Sequence, residues 1–362
     1  MKIEKTIHLV IFGVGNVGKT LIKQVLESGE HFEHNKQLLI KIPVITNSKL
    51  MLLKSDGISK FKESNLYLNE NVKQYNVSEI FDFVASEKLN NLIAIDATAS
   101  QDFVKNYIPL IENGFHIISA NKVANTLPID FYETLRKTLK SHQKQFLYET
   151  NVGAGLPIIE TIKGLYESGE KINKIRGVFS GSLSYIFNTF SSQEISFSEV
   201  LNNAKNLGLT EPDIREDLSG ADVARKLLIL ARELTLKKDL EDIKVQTLIP
   251  KRLSKKECVN DFNESIHELD NLFQYIKNHS KNTGVLRYVG ELDITRQTLD
   301  VKLISEEKHT AIGQLQGADS VFEIYTESYG ELPIVIRGAG AGKEVTARGV
   351  LSDILKLSST LN

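Results

Sequence analysis

A predicted strand, a glycine-rich turn and a predicted helix open the chain, and this unit constrains the fold most. Residues 6–12, TIHLVIF, form a short apolar run rich in β-branched residues, which predicts a strand. An amphipathic helix pattern follows the turn GVGNVG, which consists of Gly13, Val14, Gly15, Asn16, Val17 and Gly18. Gly13 permits a tight turn, Gly15 lets the backbone approach a pyrophosphate, and Gly18 lets the helix pack close to the sheet. The pattern predicts a Rossmann-type dinucleotide-binding domain; a merely tight strand–helix turn is the alternative.

The end of the second predicted strand bears on the choice of cofactor. Residues 37–46 form an apolar run, and Asn47, Ser48 and Lys49 follow it. A cofactor with a free ribose 2′-hydroxyl favours a carboxylate at this position, and none is present. Lys49 is instead suited to a 2′-phosphate, so the sequence favours NADP over NAD. A solvated loop lysine is the alternative interpretation of Lys49.

Further strand and helix patterns complete a first domain over residues 1–150. Residues 50–77 are polar and are interpreted as an irregular segment or flap, and the later strands end at Thr98, Ala120 and about Thr150. Ligands of open α/β sheets gather outside the carboxyl ends of the strands. The polar residues expected at that edge are Thr98, Ser100, Ser119 and Lys122. An ordinary loop lysine is the alternative interpretation of Lys122.

A second domain is predicted over residues 151–338. Its first helix follows Glu149 and the turn VGAG at 152–155, where a carboxylate beside exposed carbonyls could bind a hard cation. A plain helix entry is the simpler interpretation. From Val285 the chain reads as short alternating strands typical of an antiparallel sheet, and it ends in a glycine-rich entry to an apolar helix. The expected architecture is therefore α/β, with a mixed-sheet second domain.

The segment from Thr210 to Arg232 is the best candidate for a substrate site. From Ala221 onward its pattern is apolar almost all round, which predicts a buried helix. Asp222 and Lys226 nevertheless lie within this helix, four residues apart and on one face. Charges in a buried helix need partners or a polar cavity. The acidic residues just upstream are Glu211, Asp213, Glu216 and Asp217.

Simpler interpretations of the same segment remain open. Asp222 could cap the helix, since Ser219 to Asp222 fits a pattern related to the capping box. Asp222 and Lys226 could form only an i,i+4 ion pair. Arg225 is expected to be a structural ion-pair partner, while Asp213 and Glu216 are interpreted as solvated loop charges.

Composition excludes several classes of protein. The net charge is −2, and the basic cluster of Lys251, Arg252, Lys255 and Lys256 is interpreted as a solvated face, so neither nucleic acid nor a membrane surface is expected as a partner. One cysteine, Cys258, excludes a disulfide framework and a Cys/His metal cluster. No apolar run is long enough for a membrane span. Since the first strand begins near Met1, no targeting segment is expected, and the cytoplasm is the expected location.

A dinucleotide-binding domain binds a cofactor that carries a hydride. Reduction of a carbonyl also needs a proton donor for the developing alkoxide. Lysine serves this purpose where burial or a second cation lowers its pKa, which makes Lys226 and Lys122 the candidates. Asp222 and Glu211 could bind a substrate ammonium. Cys258 lies in a charged segment with no predicted strand end or helix entry, so a dehydrogenase that forms an acyl-enzyme is disfavoured.

These motifs together resemble homoserine dehydrogenases over almost the whole chain. The matching stretches are GVGNVG (13–18), SANK (119–122), ETNVGAGLP (149–157), GVFSGSLSYIFN (177–188), TEPDIREDLSGADVARK (210–226) and GAGAGKEVTARGVLSD (338–353). The resemblance implies NAD(P)-dependent interconversion of L-aspartate 4-semialdehyde and L-homoserine, a step towards threonine, methionine and isoleucine. It also implies a homodimer formed through the second domain.

The resemblance implies a role for each matching residue. Lys226 and Lys122 correspond to acid/base lysines; Asp222 and Glu211 correspond to substrate-site carboxylates, with Asp217 nearby. Gly342 corresponds to a glycine that approaches the cofactor, and the segment 339–362 is expected to return to the first domain. A monovalent cation, usually sodium, is implied at Glu149, Val152, Ala154 and Leu156.

The chain departs from some members of that family. Neither the regulatory extension nor the fused aspartate kinase of such members is expected in it, and ITNSK after the second strand is closer to the fused enzymes. Two other functions are kept as alternatives: a nucleotide-binding sensor or scaffold with an inactive site, and a dehydrogenase for a related amino-acid aldehyde. The intact set of Lys122, Asp222 and Lys226 argues against the inactive site.

Overall fold

The computed structural model describes residues 3–68, 71–254, 258–280 and 284–361. The chain forms two compact units, one made of Met1–Gly155 with Gly342–Asn362 and the other of Leu156–Ala341. Parts of two predicted features, namely Lys255 and Lys256 of the basic cluster and Asn362 of the C-terminal segment, lie outside the described residues.

The first unit contains a seven-stranded mixed sheet in the order β4-β3-β2-β1-β5-β6-β7. Its strands are β1 (Lys5–Phe12), β2 (Leu38–Thr46), β3 (Leu50–Leu53), β4 (Val72–Gln74), β5 (Leu92–Asp96), β6 (His116–Ser119) and β7 (Phe146–Leu147), and its helices are α1 (Asn16–Glu27), α2 (Gly29–Lys36), α3 (Val77–Ser86), α4 (Tyr107–Glu112) and α5 (Ile129–Ser141). Strands β2, β1, β5, β6 and β7 are parallel, as a Rossmann-type fold requires.

Two strands of this sheet correct the prediction for residues 50–77. Instead of a wholly irregular segment, β3 pairs antiparallel with β2, and β4 pairs antiparallel with β3. Met51 and Leu52 are buried there. Because β3 is only four residues long and β4 only three, their alternation is too short to stand out in a polar stretch.

The second unit contains a six-stranded mixed sheet in the order β13-β12-β8-β10-β11-β9. Its strands are β8 (Ile172–Val178), β9 (Lys244–Val245), β10 (Gly284–Asp293), β11 (Thr298–Glu307), β12 (Asp319–Thr326) and β13 (Ile334–Ala339), and its helices are α6 (Ile158–Glu167), α7 (Gly181–Ser192), α8 (Phe197–Asn206), α9 (Ile214–Leu218), α10 (Ala221–Glu233), α11 (Lys251–Ser254), α12 (Val259–Glu264) and α13 (Asp270–Asn278). Helices α7 and α10 contact β10, where they cover apolar side chains of the sheet.

The last helix, α14 (Lys343–Ser358), belongs to the first unit and packs along α1. Ala347, Val350, Leu351 and Ile354 are fully or almost fully buried and join the same apolar cluster as the β1 side chains Ile7, Leu9 and Ile11. This burial stabilises the unit by roughly 25 cal/mol for each Å² of apolar surface removed from water. No helix among the described residues is both long and apolar enough to cross a membrane.

Candidate functional site

The glycine turn after β1 is tightly packed on one side and open on the other. Gly13 has φ +97°, and a Cβ there would lie 2.8 Å from the carbonyl of Ala97, while a Cβ on Gly18 would lie 1.9 Å from the carbonyl oxygen of Gly13. Both positions therefore require glycine. A Cβ on Gly15 would meet no atom within 4 Å. The open space at Gly15 lies directly before α1, which begins at Asn16, so it fits the approach of an anion to a helix N-terminus.

A cavity of about 700 Å³ lies over the carboxyl ends of β1, β2 and β5 in the first unit. Its walls include Phe12, Gly13, Val14, Gly15, Lys19, Thr46, Asn47, Ser48, Ser64, Asn65, Leu66, Tyr67, Tyr75, Ala97, Thr98, Ala99, Ser100, Asp102, Phe103 and Asn106. Its size and place suit the larger part of a dinucleotide. Sequence reasoning missed Lys19, Tyr67 and Tyr75, although Lys19 directly follows the glycine turn.

The other predicted cofactor residues lie in different settings. Lys49 is exposed and does not line this cavity; its main-chain N–H donates to Asn47 Oδ1 at 2.8 Å in the turn between β2 and β3. Ser119 is fully buried at the end of β6. Val17 is half-buried in the first turn of α1. Gly342, with φ +130°, is the N-cap of α14.

Four side chains form a buried polar cluster behind the ends of β5 and β6, and sequence reasoning identified only one of them. They are Asp96, Tyr107, Ser119 and Asn121, each at most 4% exposed. The Tyr107 hydroxyl lies 2.8 Å from Asp96 Oδ2 and 2.8 Å from Ser119 Oγ. Asn121 Nδ2 donates to Asp96 Oδ2 at 3.1 Å. This buried cluster directly precedes Lys122, which is half-exposed.

The predicted cation turn begins with Glu149 at the end of the first unit. The main-chain N–H of Glu149 donates at 3.0 Å to Asp353 Oδ2, a buried carboxylate of α14. Ala154 has φ +54°, which is uncommon for a residue with a side chain. Among the described residues no three His, Cys, Asp or Glu side chains are grouped as metal ligands. The predicted site is of another kind, because Val152, Ala154 and Leu156 would contribute main-chain carbonyl oxygens.

In the second unit, Lys226 projects from α10 and is 7% exposed. Its Nζ lies 2.7 Å from Asp222 Oδ2 and donates at 2.7 Å to the carbonyl oxygen of Phe179, the residue after β8. The Phe179 ring stacks on Phe322 with ring centroids 4.7 Å apart, which fixes this part of the chain. Lys226 is thus held by one charged and one neutral acceptor, while Asp222 is partly exposed at 36% of its side chain.

Asp217 joins the same region to the entry of α7. Its Oδ1 accepts a hydrogen bond from Ser182 Oγ at 2.6 Å, and its Oδ2 accepts the main-chain N–H of Glu211 at 2.9 Å. Burial raises the pKa of Asp217, and the negative charge of Asp222 raises it further; the hydrogen bonds from Ser182 and Glu211 oppose the rise. Glu211, Asp217, Asp222 and Lys226 are named the open cluster below.

Comparison with known families divides the chain near residue 155, as the two units do, although the second family model also includes most of α14. Residues 13–149 match the family model described as the homoserine dehydrogenase NAD binding domain, and residues 157–355 match the model described as homoserine dehydrogenase. The chain belongs to the homoserine dehydrogenase family. The two matches together cover both units, and the predicted α/β fold with a Rossmann-type domain is confirmed.

Relatives and solved structures match over almost the whole chain. A bifunctional aspartokinase/homoserine dehydrogenase of Buchnera aphidicola is 38% identical over 98% of this chain, which spans 43% of that relative's length. A Candida auris protein of unknown function has a solved structure that is 31% identical, with a TM-score of 0.89 over 98% of this chain and 99% of its own. A hyperthermophilic archaeal homoserine dehydrogenase, solved in complex with NADPH, shares the fold at 22% identity and a TM-score of 0.74, over 99% of each chain.

The structure also decides between the simpler interpretations of the α10 segment in this homoserine dehydrogenase family member. The predicted ion pair between Asp222 and Lys226 is present. The prediction that Asp222 caps the helix is wrong. The N-cap of α10 is Gly220, and no side chain forms a capping hydrogen bond there. Gly220 has φ +77°, and a Cβ there would lie 2.1 Å from the Tyr288 hydroxyl. This steric constraint comes from Tyr288, which is distant in the sequence, so no local sequence pattern predicts that Gly220 is the N-cap.

Three minor interpretations also need correction. Asp213 is not only a solvated charge, because it caps α9 and pairs with Arg215 at 2.6 Å. Arg225 forms no ion pair within the described part of the chain, where it is instead Lys226 that pairs with Asp222. Cys258 is exposed and does sit at a helix entry, where its Sγ accepts the N–H of Asp261 at 3.3 Å as the N-cap of the six-residue α12.

Proposed function

We propose that this chain catalyses the NADP-dependent interconversion of L-aspartate 4-semialdehyde and L-homoserine, in the route to threonine, methionine and isoleucine. The observation that carries the proposal is the almost fully buried Lys226, whose Nζ lies 2.7 Å from the partly exposed Asp222 in the domain that matches the homoserine dehydrogenase model. Membership of that family and the NADPH complex of the archaeal homoserine dehydrogenase support the choice of reaction and cofactor.

The first unit holds the cofactor in this proposal. When bound, the nicotinamide cofactor supplies or accepts the hydride. The N-terminus of α1 and the open backbone at Gly15 would hold the pyrophosphate, and Thr98 lines the same cavity. Lys49 is proposed to favour NADP through its charge, together with the lack of a carboxylate after β2. Ser119, Gly342 and the other residues of the glycine turn complete the proposed cofactor set.

The open cluster is proposed to bind the amino acid and to move a proton. Lys226 delivers a proton to the oxygen that becomes the alkoxide and takes it back in the reverse direction, and Lys122 is proposed as a second acid/base lysine. Asp222 orients the Lys226 ammonium through their 2.7 Å contact. Glu211 and Asp217 bind the substrate ammonium; Asp217 is half-buried, and a partly desolvated carboxylate attracts a cation strongly, while Glu211 is exposed and adds a second negative charge.

A monovalent cation, sodium, is proposed at the turn formed by Glu149, Val152, Ala154 and Leu156. Gly153 and Ala154 both have positive φ, so the chain turns sharply within this segment, and a sharp turn is the kind of backbone that can direct several carbonyl oxygens at one ion. One carboxylate with several carbonyl oxygens is a donor set for a hard cation. The donor chemistry of these residues therefore fits the ion.

We propose a homodimer formed through the second unit and a cytoplasmic location. The edge strand β13 supports the dimer: Val335 is 45% exposed there, and Leu332 just before it is 79% exposed. An exposed apolar sheet edge is expected to be covered in the assembled protein. The low net charge and the single cysteine support an intracellular, reducing setting for the enzyme.

A substrate panel tests the proposed reaction. The purified protein is given L-aspartate 4-semialdehyde, glutamate 5-semialdehyde and butyraldehyde, each with NADPH and with NADH, and cofactor oxidation is followed at 340 nm. We expect turnover that is highest with L-aspartate 4-semialdehyde and NADPH. Faster turnover of another aldehyde would identify that aldehyde as the substrate instead. Cofactor binding without any turnover would favour the sensor or scaffold.

A further inference from the structure

The buried cluster ties two loops of the first unit to a single carboxylate. Asp96 is the last residue of β5 and is 1% exposed. Its Oδ1 accepts the main-chain N–H of Thr98 at 2.8 Å, in the loop that follows β5. Its Oδ2 accepts Asn121 Nδ2 at 3.1 Å, from the loop that follows β6. One side chain therefore fixes both loops at the carboxyl edge of the sheet.

Asn121 also forms hydrogen bonds with residues of both loops. Its Nδ2 also donates to the carbonyl of Ser100 at 2.9 Å, and its Oδ1 accepts the N–H of Val123 at 3.1 Å. Its own N–H donates to Ser119 Oγ at 2.9 Å. Lys122 is the residue between Asn121 and Val123, so its backbone is held on both sides by the same amide side chain.

Tyr107 closes the cluster from α4. It is fully buried, and its hydroxyl is within 2.8 Å of both Asp96 and Ser119. Burial and the nearby charge of Asp96 raise the pKa of Tyr107 well above its ordinary value, so the hydroxyl remains protonated and can donate. Burial also raises the pKa of Asp96, an effect that the hydrogen bonds from Thr98, Tyr107 and Asn121 oppose. Within the described part of the chain, Asp96 accepts these hydrogen bonds from neutral donors, and a hydrogen bond to a carboxylate is stronger than one between two neutral groups.

We propose that Asp96 is a positioning residue, which acts through Asn121 to hold Lys122 and the Thr98–Ser100 loop in one fixed arrangement. The inference rests on the proposed function for the roles of those two loops. It adds a residue for which neither the sequence nor the family resemblance indicated a role. Since a displacement of about 1 Å can cost about a hundredfold in rate, such a residue can affect turnover without contacting the ligand.

The substitution Asp96→Asn tests the proposal with almost no change in volume. Asp96 accepts three donors, and an amide has only one acceptor oxygen, so at least one N–H donor must face the new NH₂ group. Tyr107→Phe is the milder variant, because the contacts of Thr98 and Asn121 with Asp96 remain. His116→Gln is the matched control: His116 is 6% exposed and lies at the opposite end of β6 from Ser119.

Hydrogen exchange, cofactor binding and turnover are measured on all four proteins. In Asp96→Asn we expect faster amide exchange in both loops, 97–100 and 120–125, with kcat lower by about tenfold or more and the KM for the aldehyde changed by less than about threefold. Tyr107→Phe should show the same pattern more weakly. His116→Gln should leave kcat and the exchange of both loops unchanged.

Two results would overturn the positioning role. One is faster exchange confined to the 97–100 loop, since that would leave Lys122 uncoupled from Asp96. The other is a loss of kcat no larger than in the His116→Gln control. If the wild-type protein binds NADPH but does not turn over L-aspartate 4-semialdehyde, the proposed function fails, and the exchange of the two loops still decides the inference.

Discussion

The buried cluster of the first unit and the open cluster of the second unit differ in exposure and in charge. The buried cluster has one carboxylate among neutral hydrogen-bonding groups, and no member is more than 4% exposed. The open cluster combines Lys226 with Asp217, Asp222 and Glu211, and Asp222 and Glu211 reach solvent. Buried hydrogen-bond networks fix the geometry of a fold, whereas charged groups that reach solvent, such as Asp222 and Glu211, remain available to a ligand. We therefore infer that the first cluster positions and the second reacts.

Of the substitutions proposed for the two clusters, the replacement of Lys226 should lower kcat the most. Lys226→Met keeps an apolar stem of similar length in the buried part of α10 and removes the proton donor. We expect kcat to fall by about 10³-fold, which corresponds to about 4 kcal/mol, while the Kd for NADPH stays within about twofold. Steady-state kinetics and a fluorescence titration with NADPH measure these quantities.

Lys163→Met is the control for that variant. Lys163 pairs at 3.5 Å with Glu233 at the far end of α10, so its loss removes a charge from the same unit without touching the open cluster. Its kcat should remain near that of the wild type. A Lys226→Met variant that turns over as fast as Lys163→Met would show that the open cluster does not carry the chemistry.

The stability of the first unit should depend on pH through His116, at the end of β6 that lies away from the buried cluster. Burial lowers the pKa of His116 from 6.5 to about 4, and the charge of Lys144 adds to this effect. The folded state therefore favours neutral His116, and the resulting stability is present above pH 6.5 and is lost as the pH falls towards 4. We expect a loss of up to about 3 kcal/mol over that range.

Urea unfolding at pH 7.5 and pH 4.5 measures this loss, with His116→Gln for comparison. The variant has no titrating group at this position, so its unfolding free energy should fall less than that of the wild type over the same interval. Equal losses in the two proteins would assign the acid sensitivity to other groups.

Asp217→Asn should affect substrate affinity more than turnover. The amide can still accept one hydrogen bond, but it has no charge to attract the substrate ammonium. We expect the KM for the amino-acid substrate to rise by about tenfold, with kcat within about threefold of the wild type. Kinetics with butyraldehyde, which has no ammonium group, provide the control. A similar rise in KM for both substrates would mean that Asp217 supports the structure rather than binds the ammonium.

Lys49→Ala should have the smallest effect, because this lysine is exposed and lies outside both clusters. We expect the Kd for NADPH to rise by about fivefold and the Kd for NADH to remain unchanged, since only NADPH carries the 2′-phosphate. The effect should weaken as the salt concentration rises. Equal changes in the Kd for NADPH and for NADH would show that Lys49 does not contact the 2′-phosphate.

Local patterns account for the parts of the molecule that the sequence could predict. The glycine turn at 13–18 and the apolar helix around Lys226 each have a short, characteristic spacing, and the structure contains both the strand–turn–helix unit and the buried helix. The 2.7 Å contact of Asp222 with Lys226 follows from their i,i+4 spacing on that helix.

Contacts between distant segments account for what the sequence could not predict. Asp96 ends β5, Tyr107 begins α4 and Asn121 follows β6. The parallel pairing of β5 with β6 brings Asp96 close to Asn121, and the packing of α4 adds Tyr107. The carbonyl oxygen of Phe179 accepts a hydrogen bond from Lys226 of the open cluster, and no side-chain pattern reveals such a main-chain contact. Gly220 caps α10 because Tyr288 occupies the space that a side chain would need. None of these constraints has a fixed spacing along the chain.

Oxidation of L-homoserine tests the central claim most directly, because it requires the cofactor site and the open cluster to act on one stable amino acid. The wild-type protein is incubated with NADP⁺ and L-homoserine, and NADPH formation is followed at 340 nm beside D-homoserine and L-serine. We predict that NADPH forms from L-homoserine and not from the other two compounds. Formation of no NADPH from L-homoserine, or equal rates with L-serine, would contradict the proposed function.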